Sequence, residues 1–256
     1  MFPVLALSLV WTGNVATAKK PKFDPTSVSN VALFSMAGTV EIEQAETRSG
    51  VGVLDAARDL KKTKDAVSGL KDGSMKAESG RKTIEIYDTV EQGLEGAFDW
   101  EVWDYDTLSS HDAYAAAWDT FTPKKGRGLA GWGGGMAPEG ILHNTSTLRL
   151  KQRDRDPLIE ALGVDALVMV DLTVAGKDQG VRIGGVGTSR VKPRTTAIVT
   201  IYVPGEKKHV WRGGVTGEKT EEAIKNDMGA EDDGRHGLIL ASIQNAMTKL
   251  GEKYTE

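Results

Sequence analysis

The stretch Asp156-Pro-Leu-Ile-Glu-Ala-Leu-Gly163-Val-Asp-Ala166-Leu-Val-Met-Val-Asp-Leu-Thr-Val174 sets the fold class. Asp156 is placed to cap a helix, Pro157 suits its first position, and Gly163 stands just past its end. The near-continuous apolar run at 166–174 suits a central strand covered on both faces. A helix that hands over directly to a buried strand is the unit of a layered α/β sheet.

Downstream, two β-rich runs at 196–203 and 209–217 flank Pro204-Gly-Glu-Lys-Lys208, a hairpin signal. The chain then closes with a helix whose Leu240, Ile243, Met247, Leu250 and Tyr254 repeat at 3-4-3-4 spacing, a core-facing stripe. Upstream, Val31-Ala-Leu-Phe34 begins the first strand, which continues through Thr39 to Ile42 after Gly38. Spacing predicts an amphipathic helix over 51–71, a polar loop over 72–82, and a second helix over 83–96 with Tyr87, Val90, Leu94 and Ala97 on one face. Residues 98–105 alternate as a strand. Ser109-x-x-Asp112 reads as a capping signature for a short helix through Ala115, Ala116 and Trp118. The expected fold is therefore α/β: a layered mixed sheet with helices on its faces, and a C-terminal β-hairpin followed by a closing helix.

Composition narrows the function. The 256 residues carry 32 Lys+Arg against 36 Asp+Glu, a net charge of −4, without the basic excess of a dedicated nucleic-acid binder. With no cysteine, disulfides, thiol nucleophiles, thiolate zinc sites and a lipid-modified cysteine are excluded. Of the thirty glycines, seven fall in 122–141 and five in 176–194, two stretches read as Gly-rich insertions in one α/β domain covering 30–256.

Residues 2–11 are uncharged and apolar, and Ala16-Thr17-Ala18 follows before Lys19-Lys20, the layout of a cleaved signal over 1–18. Residues 19–29 read as a flexible lead-in. Export without a second apolar span points to a periplasmic or secreted protein, with membrane contact at most peripheral.

The catalytic motifs fail on context. Gly126-x-Gly128-x-x-Gly131 follows Pro123-Lys-Lys instead of a strand, and Glu218 interrupts the phosphate-loop string Gly213-Gly-Val-Thr-Gly-Glu-Lys-Thr220. His111, His143, His209 and His236 are scattered, so neither a catalytic nor a metal set is read, and no cofactor is expected. Asp227, Glu231, Asp232 and Asp233 read as a solvated acidic approach to the last helix, without the spacing of a calcium loop. Asn144-Thr145-Ser146 meets the N-glycosylation pattern. The candidate partner surface comprises Trp132 and Met136 in the first Gly-rich stretch, and Arg182, Arg190, Lys192 and Arg194 in the basic second one.

Three segments carry a family resemblance. Leu94-Glu-Gly-Ala-Phe-Asp-Trp-Glu-Val-Trp-Asp-Tyr-Asp-Thr-Leu108, Ile159-Glu-Ala-Leu-Gly-Val-Asp-Ala-Leu-Val-Met-Val170 and Pro204-Gly-Glu-Lys-Lys-His-Val-Trp-Arg-Gly-Gly-Val-Thr-Gly-Glu218 resemble, in order, the helix-to-strand steps and hairpin of the bacterial curli-secretion lipoprotein superfamily. That superfamily includes the penicillin-binding-protein activator lipoproteins and the N-terminal domain of the Tol-system propeller protein. The resemblance implies that Gly163 ends a helix, Asp165 turns the chain, and Gly205 with Trp211 fixes the hairpin. This chain departs from the family in having no cysteine for lipidation and no alternating hairpin suited to barrel strands.

The leading expectation is an exported, non-catalytic domain that binds another envelope protein or self-associates, in an assembly, adaptor or activator role. A hydrolase using Asp/Glu and His111 gathered from distant segments, and a head-group or small-ligand binder using loop 176–194, are the alternatives.

Overall fold

The computed structural model describes residues 23–43, 73–122, 137–144, 150–177, 182–183, 186–187, 190–225 and 233–254. The expected helix at 51–71, the signal segment 1–18, and Trp132 and Met136 lie outside the described residues.

A mixed six-stranded sheet organises the chain. Strand β1 (Asn30–Glu43) pairs in parallel with β4 (Ala166–Lys177), and β4 continues antiparallel to β8 (Arg194–Tyr202) and then β9 (Trp211–Thr216). On the other side of β1 lie two short parallel partners, β2 (Glu101–Val102) and β3 (Leu142–His143). Helix α1 (Gly73–Phe98) and the closing helix α5 (Asp233–Tyr254) pack against each other, and α5 lies on β8 and β9. Helices α2 (Tyr105–Ser110), α3 (Asp112–Phe121) and α4 (Gln152–Leu162) complete the layers. The layered sheet, the hairpin and the closing helix are as the sequence predicts.

The central-strand reading of 166–174 holds because Ala166, Leu167, Val168, Val170, Leu172 and Val174 are all buried. The closing stripe behaves likewise: Ile243, Met247 and Leu250 enter the core. Tyr87, Val90, Leu94 and Ala97 bury the face of α1 that their spacing assigns. The Asp165 carboxylate does more than turn the chain. It accepts the Ser29 and Asn30 backbone N–H groups at 3.0 and 2.9 Å, pinning the start of β4 to the start of β1. Those two bonds hold its pKa below the usual carboxylate range, the Asn30 bond contributing most.

Five local readings are corrected. Helix α1 begins at Gly73, so 73–82 is helical and not a loop. The segment shows no apolar stripe and includes Gly73, Ser74, Ser79 and Gly80, but its Met, Lys, Ala, Glu and Arg residues are good helix formers, and adding turns to a helix already nucleated downstream costs little. The strand expected over 98–105 shrinks to Glu101–Val102. Phe98 still belongs to α1, and Asp99 reverses the chain with φ 58°. The apolar alternation there serves packing instead: Phe98 stacks on Trp100 at 4.4 Å, and the Trp100 indole donates to Pro25 O at 3.0 Å. Ser109 and Asp112 do not cap one helix. Asp104 caps α2, accepting the Thr107 N–H at 2.7 Å, and His111 separates α2 from α3. Asp156 is inside α4, which starts at Gln152 with the Asp154 carboxylate accepting the Lys151 N–H at 3.2 Å. Pro157 is tolerated in the second turn, and Gly163 ends the helix with φ 67°, as expected.

Finally, the basic stretch 176–194 is not all loop. It contains the end of β4, the short strands β5 (Arg182–Ile183), β6 (Val186–Gly187) and β7 (Arg190–Val191), and the first residue of β8. Strand β7 pairs with β10 (Ile224–Lys225), and Val191 is buried. At the other end of the domain, the lead-in residue Val28 is buried in the core and Pro25–Ser27 forms a short helical turn.

One buried tyrosine fastens β3. The Tyr114 hydroxyl donates to Phe34 O and accepts the Leu142 N–H at 2.9 Å, with the ring fully buried. Tyr114→Phe leaves a buried carbonyl and a buried N–H unpaired, and is expected to cost about 2 kcal/mol in urea denaturation.

Candidate functional site

The two faces of the sheet differ. Along β4, Val170, Leu172 and Val174 are buried, while Asp171, Thr173 and Ala175 keep solvent access. Along β8, Thr195, Ala197 and Val199 are buried, while Arg194, Thr196 and Ile198 are exposed or partly so. Strand β9 alternates in step, with Arg212 and Thr216 exposed. Thr195 Oγ1 meets Ser242 Oγ of α5 at 2.7 Å, so the buried side is the helix-covered side.

Register turns the other side into an ordered surface. Thr39, Thr173, Thr196 and Thr216 stand in line across β1, β4, β8 and β9. At the usual strand spacing this row spans ~14 Å. Its last two hydroxyls bond to each other at 2.9 Å. The adjacent row is Ala37, Asp171, Ile198 and Gly214; in the next, Ser35 and Thr200 are buried, Met169 is half-buried and Arg212 is exposed, so the open surface ends there. Arg194, opposite Ala175, borders the surface at the far end.

A buried polar clamp fixes one margin of this face. Ser35 Oγ donates to Asn144 Oδ1 at 2.6 Å, and the Asn144 amide donates to Val170 O at 3.0 Å and to the Asp171 carboxylate. Asn144 is only 9% exposed, so the sequon asparagine is engaged in packing and closed to glycosylation in the folded chain. Opposite, Arg155 anchors the hairpin turn. Its buried guanidinium donates to Leu150 O, Glu206 O and Lys207 O at 2.9, 3.3 and 3.0 Å, and lies 4.6 Å from the Tyr202 ring centroid.

Of the candidate surface residues, Arg190, Lys192 and Arg194 come together in the approach to β8, with Arg190 and Arg194 exposed and Lys192 partly buried. Arg182 lies in β5, and nothing of its side chain is described. The four-threonine row was missed by sequence reasoning. Single threonines in four distant strands carry no signal until register aligns them.

The histidines occupy four separate elements. His111 separates α2 from α3, 5.7 Å from the Trp103 ring, and its Nδ1 is buried without a hydrogen-bond partner among the described residues. His143 is in β3, and His209 sits edge-on to Tyr202 at 6.3 Å. His236 meets Glu85 at 2.8 Å, joining α5 to α1. Among the described residues, no three His, Asp or Glu side chains gather as a metal site. Two open grooves flank α5. One, ≈620 Å³, runs beside Glu218, Lys219 and Lys249, and the other, ≈550 Å³, lies between Gly93 and Gly251. Among the described residues no helix is long and apolar enough to cross a membrane.

No family model matches the chain, and no curated protein matches it. Solved structures that resemble it include the LpoB C-terminal domain from Salmonella enterica, at 7% identity and TM-score 0.26 over 74% of this chain and 82% of that one. Lipoprotein GNA1162 from Neisseria meningitidis follows at 10% identity and TM-score 0.27, over 86% of this chain and 99% of the other. A homologue of a neuraminyllactose-binding hemagglutinin from Helicobacter pylori gives 11% identity and TM-score 0.29, over 92% and 90%. Superpositions this loose assign no activity, partner or site.

A second polar surface lies on α1 and α2. Burial raises the pKa of Glu91 to about 7, helped by the like charges of Asp88, Glu95 and Asp104. Asp88 is raised in the same way, by burial first and then by Asp106, Glu85 and Asp104. Because Glu91 binds its proton more tightly in the folded chain, the stability it adds is fully present below the ordinary glutamate range. That stability is lost as pH rises through about 7. Glu91→Gln is therefore expected to flatten the decline in unfolding free energy between pH 5 and 8 (assay values). At the alkaline end the variant should be more stable than the parent by about 1 kcal/mol, after allowance for solvent screening. Parallel melts across that range check it.

Proposed function

We propose that this chain is an exported, non-catalytic domain of the bacterial cell envelope that docks another envelope protein in an assembly, adaptor or activator role. The observation that carries the reading is the open half of the sheet, with its four-threonine row flanked by Asp171, Arg212 and Arg194. Small-molecule sites are concave and largely apolar, whereas this surface is a sheet face of hydroxyls and mixed charge, the chemistry of a protein interface rim. Arg190 and Lys192 extend it at one end, and Trp132, Met136 and Arg182 belong to the same proposed partner surface. The three segments that carry the curli-secretion resemblance support the reading. They fall on the α1–β2–α2 step, the α4–β4 step and the β8–β9 hairpin, in the order that the resemblance implies.

The test is in vivo photocrosslinking with a benzophenone amino acid at Thr173, Thr196 or Arg194, and at the exposed hairpin residue Lys208 as control. A discrete adduct with one envelope protein from the three sheet positions, and none from Lys208, is the expected result. Adducts equally frequent at Lys208, or none at all, would sink the proposal. The same cells should yield, by osmotic shock, a mature chain whose mass begins at Lys19.

A further inference from the structure

Among the described residues β9 is the outermost strand on its side of the sheet. Gly217 N–H donates to Thr195 O at 2.9 Å, which sets the phase of the β8–β9 ladder. Residues 211, 213 and 215 bond inward to β8, and Arg212, Gly214 and Thr216 turn their backbone groups outward. An open row of this kind invites pairing with another strand.

At Gly214 both outward groups are occupied by the last turn of α5. The Gly214 N–H donates to the Tyr254 hydroxyl at 3.2 Å, and Lys253 Nζ donates to Gly214 O at 2.9 Å. The Tyr254 ring is held edge-on to Trp211 at 5.0 Å, and Lys253 Nζ lies 4.8 Å from the Tyr254 ring centroid. Gly213 makes room for this arrangement, since a Cβ there would come within 2.8 Å of Tyr254 Cζ.

We propose that the last turn of α5 is an edge cap, and that the interaction it blocks is antiparallel pairing of β9 with β9 of a second copy of this chain. The outward-facing residues are symmetric about Gly214. Two copies related by a two-fold axis normal to the sheet would pair Gly214 with Gly214, and Arg212 with Thr216, in both directions. That register opposes no like charges directly. It also places the open threonine faces of both copies on the same side.

Light scattering of the full chain tests this. The parent is expected to be monomeric. Lys253→Ala combined with Tyr254→Leu keeps apolar cover on Trp211 but removes both bonds to Gly214. It should shift to dimer mass with rising concentration, and adding Thr216→Pro should restore the monomer, because that N–H faces outward and serves no bond to β8. A folded double variant that stays monomeric, or a parent dimer that Thr216→Pro dissociates, overturns the proposal. Amide exchange on the parent gives a readout that needs no variant: Gly214 should be protected while Arg212 and Thr216 exchange fast. Equal, fast exchange at all three also overturns it.

Discussion

Gly217→Ala is expected to lower the unfolding free energy by about 3 kcal/mol, and the thermal midpoint by roughly 6–12 °C. Gly217 follows β9 directly, where α5 crosses the end of the strand. A Cβ at this position would meet Ala246 N at 2.5 Å, Ala246 Cα at 2.8 Å and Asn245 C at 2.9 Å. All three atoms are backbone of α5, so no side chain can swing aside. Either the helix lifts from the sheet, carrying Ile243, Ala246, Met247 and Leu250 out of their packing, or β9 pulls away from Thr195. Gly96 supplies the internal control. It lies within α1 with nothing inside 4 Å of its would-be Cβ, so Gly96→Ala should stabilise the chain by up to about 1 kcal/mol. Chemical denaturation of the pair checks both signs, and equal midpoints for Gly217→Ala and the parent would mean that α5 does not sit on this glycine.

Arg155→Met should be nearly as damaging, at about 2–3 kcal/mol. The side chain is 7% exposed and gives its donors to three carbonyls, those of Leu150, Glu206 and Lys207. Methionine keeps the apolar stem and loses every donor. Lysine can serve fewer of these oxygens and loses the guanidinium contact with the Tyr202 ring, so Arg155→Lys should recover less than half of the loss. The damage should be local as well as global. The turn at 204–208 loses two of its ties to α4 and keeps the Gly205 N–H bond to Asp156, so amide exchange at Glu206–Lys208 should quicken before the rest of the domain unfolds.

What the sequence reveals about this chain depends on whether the deciding interactions are local. The stripe in α5, the apolar run of β4 and the Pro204-Gly hairpin each show their pattern within a dozen or so residues, and each element forms as read. The errors arise where an apolar pattern serves some other end. Phe98 and Trp100 alternate as a strand would, yet one finishes a helix and the other packs beside it, because Asp99 reverses the chain between them. Residues 73–82 carry no stripe, and Gly73, Ser74, Ser79 and Gly80 weaken their helix propensity, so nothing local marked them as helical. Asp156 has the residue type of a cap, but its carboxylate accepts from Gln152 within α4 and from the Gly205 N–H at 3.1 and 3.2 Å, tying the helix to the hairpin turn. Of the candidate site, the basic approach at Arg190, Lys192 and Arg194 was visible as a charge pattern. The threonine row was not, since it exists only through strand register.

The parallel pairing of β1 with β4 also has a temporal consequence. During synthesis β1 leaves the ribosome first, yet its long central partner begins only at Ala166. Until then Val31, Ala32, Leu33 and Phe34, all solvent-free in the finished fold, have no β4 to pair with. By contrast β4, β8, β9 and α5 follow one another in the chain and can assemble from near neighbours. Folding should therefore start from the C-terminal half and recruit β1 last, across a large loop closure. A waiting β1 is the segment most exposed to aggregation, and the natural grip for a chaperone while the chain is being made.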